Sequence, residues 1–138
     1  MKKTYIDFLA IETNGKFEHI HEPKPPQIEK AVKGLDGDAH TMVILHAVPD
    51  SHIMIGGGRS GWCVLSLTIK QKEFYCLLNP IPLANMPPMV RMKVNSQENM
   101  YPREMLVPKD MALKVAQPFA EKGELDPSLQ WRAEHLTV

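Results

Sequence analysis

The stretch that decides the fold is WCVLSLTIKQKEFYCLL, residues 62–78. It reads as two strands joined by a tight polar turn at Gln71-Lys72. A two-residue turn pairs Lys70 with Glu73, and sets Leu67 opposite Cys76, Ile69 opposite Phe74 and Leu65 opposite Leu78. Successive strand side chains point to opposite faces, so Cys63, Leu65, Leu67, Ile69, Phe74, Cys76 and Leu78 share one apolar face. Trp62, Val64, Ser66, Thr68, Tyr75 and Leu77 form the other, more mixed face. A fully apolar face demands a helix or a second sheet against it.

A helix of the right kind follows. Val107-Pro108-Lys109-Asp110 places Pro at a first helical position and Asp in a first turn, both features of a helix start. Ala112, Val115, Ala116, Phe119 and Ala120 make its apolar stripe, and Gly123 is the expected C-cap. Pro118 lies inside that pattern and predicts a kink or an early end. Nearer the N-terminus, Thr4 to Thr13 alternates as a strand, Asn14-Gly15 is a strong hairpin turn, and Lys16 to His21 is the return strand. Glu22-Pro23-Lys24-Pro25-Pro26 is a stiff connector. Gln27 to Leu35 then carries Ile28, Ala31, Val32 and Leu35 at helical spacing, with Gly34 or Gly37 to end it.

Thr41 to Val48 and His52 to Gly57 form a second hairpin across Pro49-Asp50. Placing Val48 opposite Ser51 sets Ile44 against Ile55 and His46 against Ile53. Apolar residues on both faces put these strands in the middle of the sheet. Asn79 to Pro88 is a Pro-rich loop, Met89 to Val94 a half-buried strand, and Asn95 to Pro102 holds a last short edge strand. The tail from Leu125 to Trp131 has no clear period. The expected fold class is α+β: a single domain over residues 1–138, with an antiparallel β-sheet of about five to seven strands. A short helix in the N-terminal half and a C-terminal helix pack on it.

At 138 residues the chain can bury a core without staples. Sixteen basic residues balance sixteen acidic ones, against the basic surplus of a nucleic-acid binder. Asp7 interrupts the N-terminal apolar run, so no secretory signal is expected, and no stretch nears the roughly 20 apolar residues of a membrane span. In the register above the two cysteines lie on one face, four positions apart. That is roughly 13 Å, too far for a disulfide. Two buried thiols suit a reducing cytoplasm.

His19 and His21 project from one strand face, and with His40, His46 and His52 they allow a metal on a small β-barrel; a small-ligand or metal-binding β-rich domain is the alternative reading of this chain. No carboxylate or cysteine stands at a matching spacing, so neither a metal nor another cofactor is expected. Gly56-Gly57-Gly58 offers amides to a phosphate, but no Gly-Lys-Ser/Thr follows and the next element is a strand; a sharp turn is the simpler use. Cys63 and Cys76 read as buried, and Ser60 lacks a nucleophile-elbow pattern, so the chain is not expected to be an enzyme. Met86, Met89 and Met92, beside the Pro-rich loop, serve as core or as a binding surface.

From Gly56 onward the features run in a recognisable order. A Gly-rich turn leads into a long hairpin, then a strand ending near Gln97, a Tyr101-Pro102 stop, and Leu106-Val107-Pro108-Lys109 opening a helix with Ala112, Ala116 and Phe119. Leu129-x-Trp131-x-x-Glu134 closes the chain. Over Gln27 to Glu134, about three quarters of the chain, this resembles the bacterial immunity proteins grouped as immunity-protein family one. They protect a cell from its own or a sibling's polymorphic or contact-dependent toxin. The chain departs from the pattern at Pro118 and in the thinned acids of Arg132-Ala133-Glu134.

The resemblance implies no catalysis and no cofactor. It implies a cytoplasmic protein, a monomer or weak dimer, binding one-to-one to a cognate toxin C-terminal domain, often a nucleic-acid-modifying one such as a deaminase or nuclease. Strand directions bring loops Asp36-Gly37-Asp38-Ala39-His40 and Gly58-Arg59-Ser60-Gly61 to one end of the sheet. Asp36, Asp38, Arg59 and Trp62 are therefore the candidate toxin-binding residues, the acids imitating phosphate. In the competing assignment Asp36 and Asp38 are turn residues, Trp62 is core, and Trp131 pins the last helix to the sheet.

Overall fold

The computed structural model describes residues 6–47, 51–70, 72–122 and 128–134. Along the chain run β1 (Ile6–Thr13), β2 (Lys16–His21), α1 (Pro25–Lys33), β3 (Met42–Ala47), β4 (Ser51–Gly57), β5 (Trp62–Ile69) and β6 (Glu73–Leu78). They are followed by β7 (Met89–Val94), β8 (Gln97–Pro102), β9 (Val107–Pro108), α2 (Lys109–Lys122) and β10 (Gln130–Glu134). The main sheet has the order β10-β6-β5-β4-β3-β1-β2, with β9 added beside the start of β5. Every pairing is antiparallel, and β7–β8 form a separate two-stranded ribbon. This is the expected α+β architecture, with β3 and β4 central as their two apolar faces demanded.

Both helices cover one face. Ile28, Ala31, Val32 and Leu35 from α1 and its end meet Ala112, Val115, Ala116, Phe119 and Ala120 from α2, over Leu9, Val43, Leu45, Ile53, Ile55, Leu65, Leu67 and Leu77. Both expected helical stripes are thus core. Helix α1 begins on the Pro25-Pro26 pair, whose missing N–H groups cost nothing in a first turn, and the Lys24 amide donates to Gln27 Oε1 at 2.8 Å. Lys109 Nζ donates to the Lys33 carbonyl at 3.0 Å, tying the end of α1 to the start of α2.

Four local expectations are corrected. Pro108 does not open the helix: it sits in β9 opposite Trp62, and α2 starts one residue later. Pro118 does not end α2, which runs on to Lys122 because Phe119 and Ala120 are buried and hold its last turn down. The tail supplies a strand, β10, whose Trp131 pairs with Leu77 and packs against the helix-covered core. Both middle hairpins are also offset by one residue. Ile69 pairs with Glu73, so Leu67 faces Tyr75. Ala47 pairs with Ser51, so Ile44 faces Met54 and His46 faces His52.

A one-residue slip moves a whole strand to the other face. Leu77 therefore replaces Cys76 and Leu78 on the core side, and is fully buried. Cys76 lies on the face opposite Cys63, and no disulfide joins them. Thr4, Tyr5, Val48, Pro49, Asp50, Gln71, the proposed Gly123 cap and residues 125–127 of the tail lie outside the described residues. No described helix is long and apolar enough to cross a membrane.

Candidate functional site

Among the described residues, the second face of the sheet is covered at one end. There the β7–β8 ribbon folds over it, and Val64, Met92 and Leu106 form a small core with Trp62, Val90, Val94, Tyr101 and Met105 around it. Two glycines permit the approach. A Cβ on Gly56 would lie 2.4 Å from Val94 Cγ1, and one on Gly57 would lie 2.5 Å from the Met92 methyl.

A buried carboxylate locks this end. Glu12, on β1, is fully inaccessible to solvent. Its Oε1 accepts from the Thr41 amide at 2.9 Å and from Thr41 Oγ1 at 2.5 Å. Its Oε2 accepts from the Gly15 amide at 2.5 Å and from Ser96 Oγ at 2.5 Å. Thr41 Oγ1 in turn accepts from the Ser96 amide at 2.8 Å. One side chain thus joins the β1–β2 turn, the start of β3 and the β7–β8 turn. Burial alone would raise its pKa; the bonds from Ser96, Thr41 and Gly15 outweigh that and hold it at about 2. Glu12 is therefore a carboxylate at neutral pH, and each of its oxygens accepts two hydrogen bonds.

Around this anchor the loops stack. The Asn14 amide donates to the Ala39 carbonyl at 2.9 Å, and Thr13 Oγ1 and His40 Nδ1 are 3.0 Å apart. Asp36 Oδ1 accepts from the amides of Asp38 at 2.8 Å and His40 at 3.0 Å, and those bonds hold its pKa below the usual carboxylate range. Gly37, at φ +75°, would carry a Cβ 2.5 Å from the Arg59 amide. Gly58, at φ +108°, would carry one 2.5 Å from the Leu35 carbonyl. Loops 36–40 and 58–61 therefore touch backbone to backbone, at the end of the sheet where strand direction placed them.

Of the four residues singled out, three meet. Asp36 shapes its loop, Asp38 projects with its side chain 91% exposed, and Arg59 reaches across to donate to Glu98 Oε1 at 2.9 Å. Trp62 does not join them: it is half-buried beneath the ribbon, in the small second core. The ribbon brings in residues not foreseen. Glu98 pairs with Arg59, Lys93 Nζ lies 4.0 Å from Asp38, and Arg91 is exposed beside them. Asp38, Arg59, Glu98, Lys93 and Arg91 make a ridge of both signs on fixed backbone. The alternation of Met89 to Val94 showed a polar strand face; nothing local in the sequence showed which loops it would join.

The other candidates take different places. His19 and His21 are exposed on edge strand β2, and the His19 ring tilts against Phe8 with centroids 5.4 Å apart. His46 stacks on Phe8 at 4.8 Å, and its Nδ1 lies 2.7 Å from Asp7 Oδ1. Its cross-strand neighbour His52 has its pKa lowered by burial and by His46. Among the described residues no three His, Cys, Asp or Glu side chains converge as metal ligands. The Gly57 and Gly58 amides donate to the carbonyls of Thr41 and Trp62, so this turn spends those N–H groups on backbone. Cys63 is sealed in the core, where burial pushes its thiol up to about 12 and removes its nucleophilicity.

No protein-family model, no curated protein and no solved structure matches this chain.

Proposed function

We propose that this chain is a toxin-neutralising immunity protein, acting in the cytoplasm without catalysis by forming a one-to-one complex with a cognate bacterial toxin domain. The resemblance read from the sequence supplies the class of partner. The observation that carries the reading is Glu12: a buried, ionised carboxylate holds three loops in register and so presents the Asp38–Arg59–Glu98 ridge with little freedom left to lose on binding. A surface ordered in advance loses less entropy when a partner docks, and fixed charges of both signs steer and select it. The acids of the ridge suit a toxin with a basic, nucleic-acid-binding cleft.

The test is co-expression with the C-terminal domain of the toxin encoded beside this gene. Restored growth together with a stable one-to-one complex is the expected result. A toxin that still kills, and elutes apart from this chain, rejects the reading.

A further inference from the structure

A second feature of the same end of the sheet is the groove between β2 and α1, about 370 Å³ in volume. Its floor is Ile11, Ile20, Ala31, Leu35 and Val43. That is within the size of pockets that seat small ligands or partner side chains, about 300–1,000 Å³. Lys30 on the helix side and Glu18 on the strand side flank it, and neither is held in an ion pair or hydrogen bond among the described residues.

The strand that makes one wall is also the end of the sheet, since among the described residues nothing pairs with the outer side of β2. Its edge is defined by the turn. Residues flanking a two-residue hairpin turn exchange their own hydrogen bonds, and bonded pairs then recur at every second position. Thr13–Lys16, Ile11–Glu18 and Leu9–Ile20 are thus the bonded pairs, and the Glu22 amide continues the series by donating to the Asp7 carbonyl at 2.9 Å. Phe17, His19 and His21 are left with N–H and C=O directed outward. Lys16, Glu18 and Ile20 point to the helix side, so a strand added to β2 would drop alternate side chains into the groove.

We infer that β2 and the groove form a docking site for an extended segment of the partner. The segment adds as a further strand and lays an apolar side chain on Ile20 and Leu35. The rim favours this occupant over an uncharged ligand, because Lys30 stands ready for an acidic side chain and Glu18 for a basic one on the same row of the incoming strand. The groove is also continuous with the ridge through His40 and Thr13, which belong to both the groove wall and the loop stack. The inference rests on the reading that the partner is a toxin domain, and adds which part of it enters: an edge strand or extended loop in which apolar residues alternate with charged ones.

The experiment is amide hydrogen exchange on the wild-type one-to-one complex with the toxin domain, compared with the free protein. The Phe17, His19 and His21 amides are expected to gain at least tenfold protection. His19→Pro, which removes one outward N–H from an edge position that tolerates proline, is expected to keep the melting midpoint and bind at least tenfold more weakly. A complex that leaves those three amides unprotected overturns this inference and leaves the immunity reading intact. Absence of any complex overturns both. Protection of the same amides in the free protein that grows with its concentration overturns it in favour of a second copy on the edge.

Discussion

The two faces of the sheet are built by different physics. On the helix side, about twenty aliphatic and small residues from six strands and both helices interlock, and position is set by shape. On the other side, three fully buried side chains carry the ribbon, and position is set by one carboxylate and two glycines. The first arrangement is stable and indifferent to the identity of any surface loop. The second holds a chosen set of loops in a chosen order. Stability is expected to concentrate on one face, and recognition at the end where the other is covered.

The largest effect is expected from Phe119→Ala. Phe119 is 2% exposed and is the largest of the fully buried side chains, lying between α2 and the sheet. Its truncation should cost about 3–5 kcal/mol in a denaturant titration, with every probe losing structure together. An unchanged midpoint would mean that α2 does not anchor that face, and the contrast between the faces would fail.

Glu12→Gln comes next, at about 2–3 kcal/mol. The amide that replaces Oε2 would point a donor at the Gly15 donor, and the charge that strengthened the Ser96 and Thr41 bonds is gone. Hydrogen exchange should speed up first near Thr41 and Ser96, with the helix face unaffected. The wild-type protein carries a matching pH signature. Glu12 titrates near 4.5 unfolded and at about 2 folded, so its contribution is complete above pH 4.5 and is lost as pH falls towards 2. In Glu12→Gln that part of the acid slope should disappear; equal slopes in the two proteins would show that the carboxylate is not the anchor.

Gly56→Ala probes the same region sterically. Val94 is β-branched and has little rotamer freedom, so the ribbon itself must shift to admit the new methyl. About 1–3 kcal/mol and faster exchange along β7 and β8 are expected. A crystal structure of the variant with the ribbon undisplaced would contradict this.

The same contrast explains what could be read from the chain. The helix face was legible because its signals are local. The stripes of α1 and α2 recur at 3.6 residues, and Asn14-Gly15 announces a turn whose residues both take positive φ. The β5–β6 hairpin was misread by one residue because a lysine, Lys70, takes φ +52° where the chain turns, a role lysine does not advertise. That slip sent Cys76 to the wrong face. Both strands of the ribbon were legible, but not the tight turn that pairs them with each other, because Asn95-Ser96 turns with both φ positive and no glycine. Glu12 was invisible for a deeper reason: in an alternating strand a glutamate reads as solvent-facing, and its partners lie 29 and 84 residues away.

The smallest change in stability, and the sharpest division within the ridge, should come from two aspartates two residues apart. Asp36 spends its carboxylate on the amides of Asp38 and His40, so Asp36→Ala should loosen loop 36–40 and cost about 1 kcal/mol. Asp38 is 91% exposed and its contact with Lys93 is 4.0 Å long, a pair of the kind worth almost nothing to folding. Asp38→Lys should leave stability within about 0.5 kcal/mol of wild type. Its effect belongs to the encounter instead. Reversing an exposed charge on a preformed ridge should slow association with the toxin domain and flatten its dependence on salt, with dissociation little changed. Surface-binding kinetics at two ionic strengths would decide. If Asp38→Lys associates as fast as wild type at low salt, while Asp36→Ala weakens binding, then loop 36–40 contributes through its shape alone and its charge is incidental.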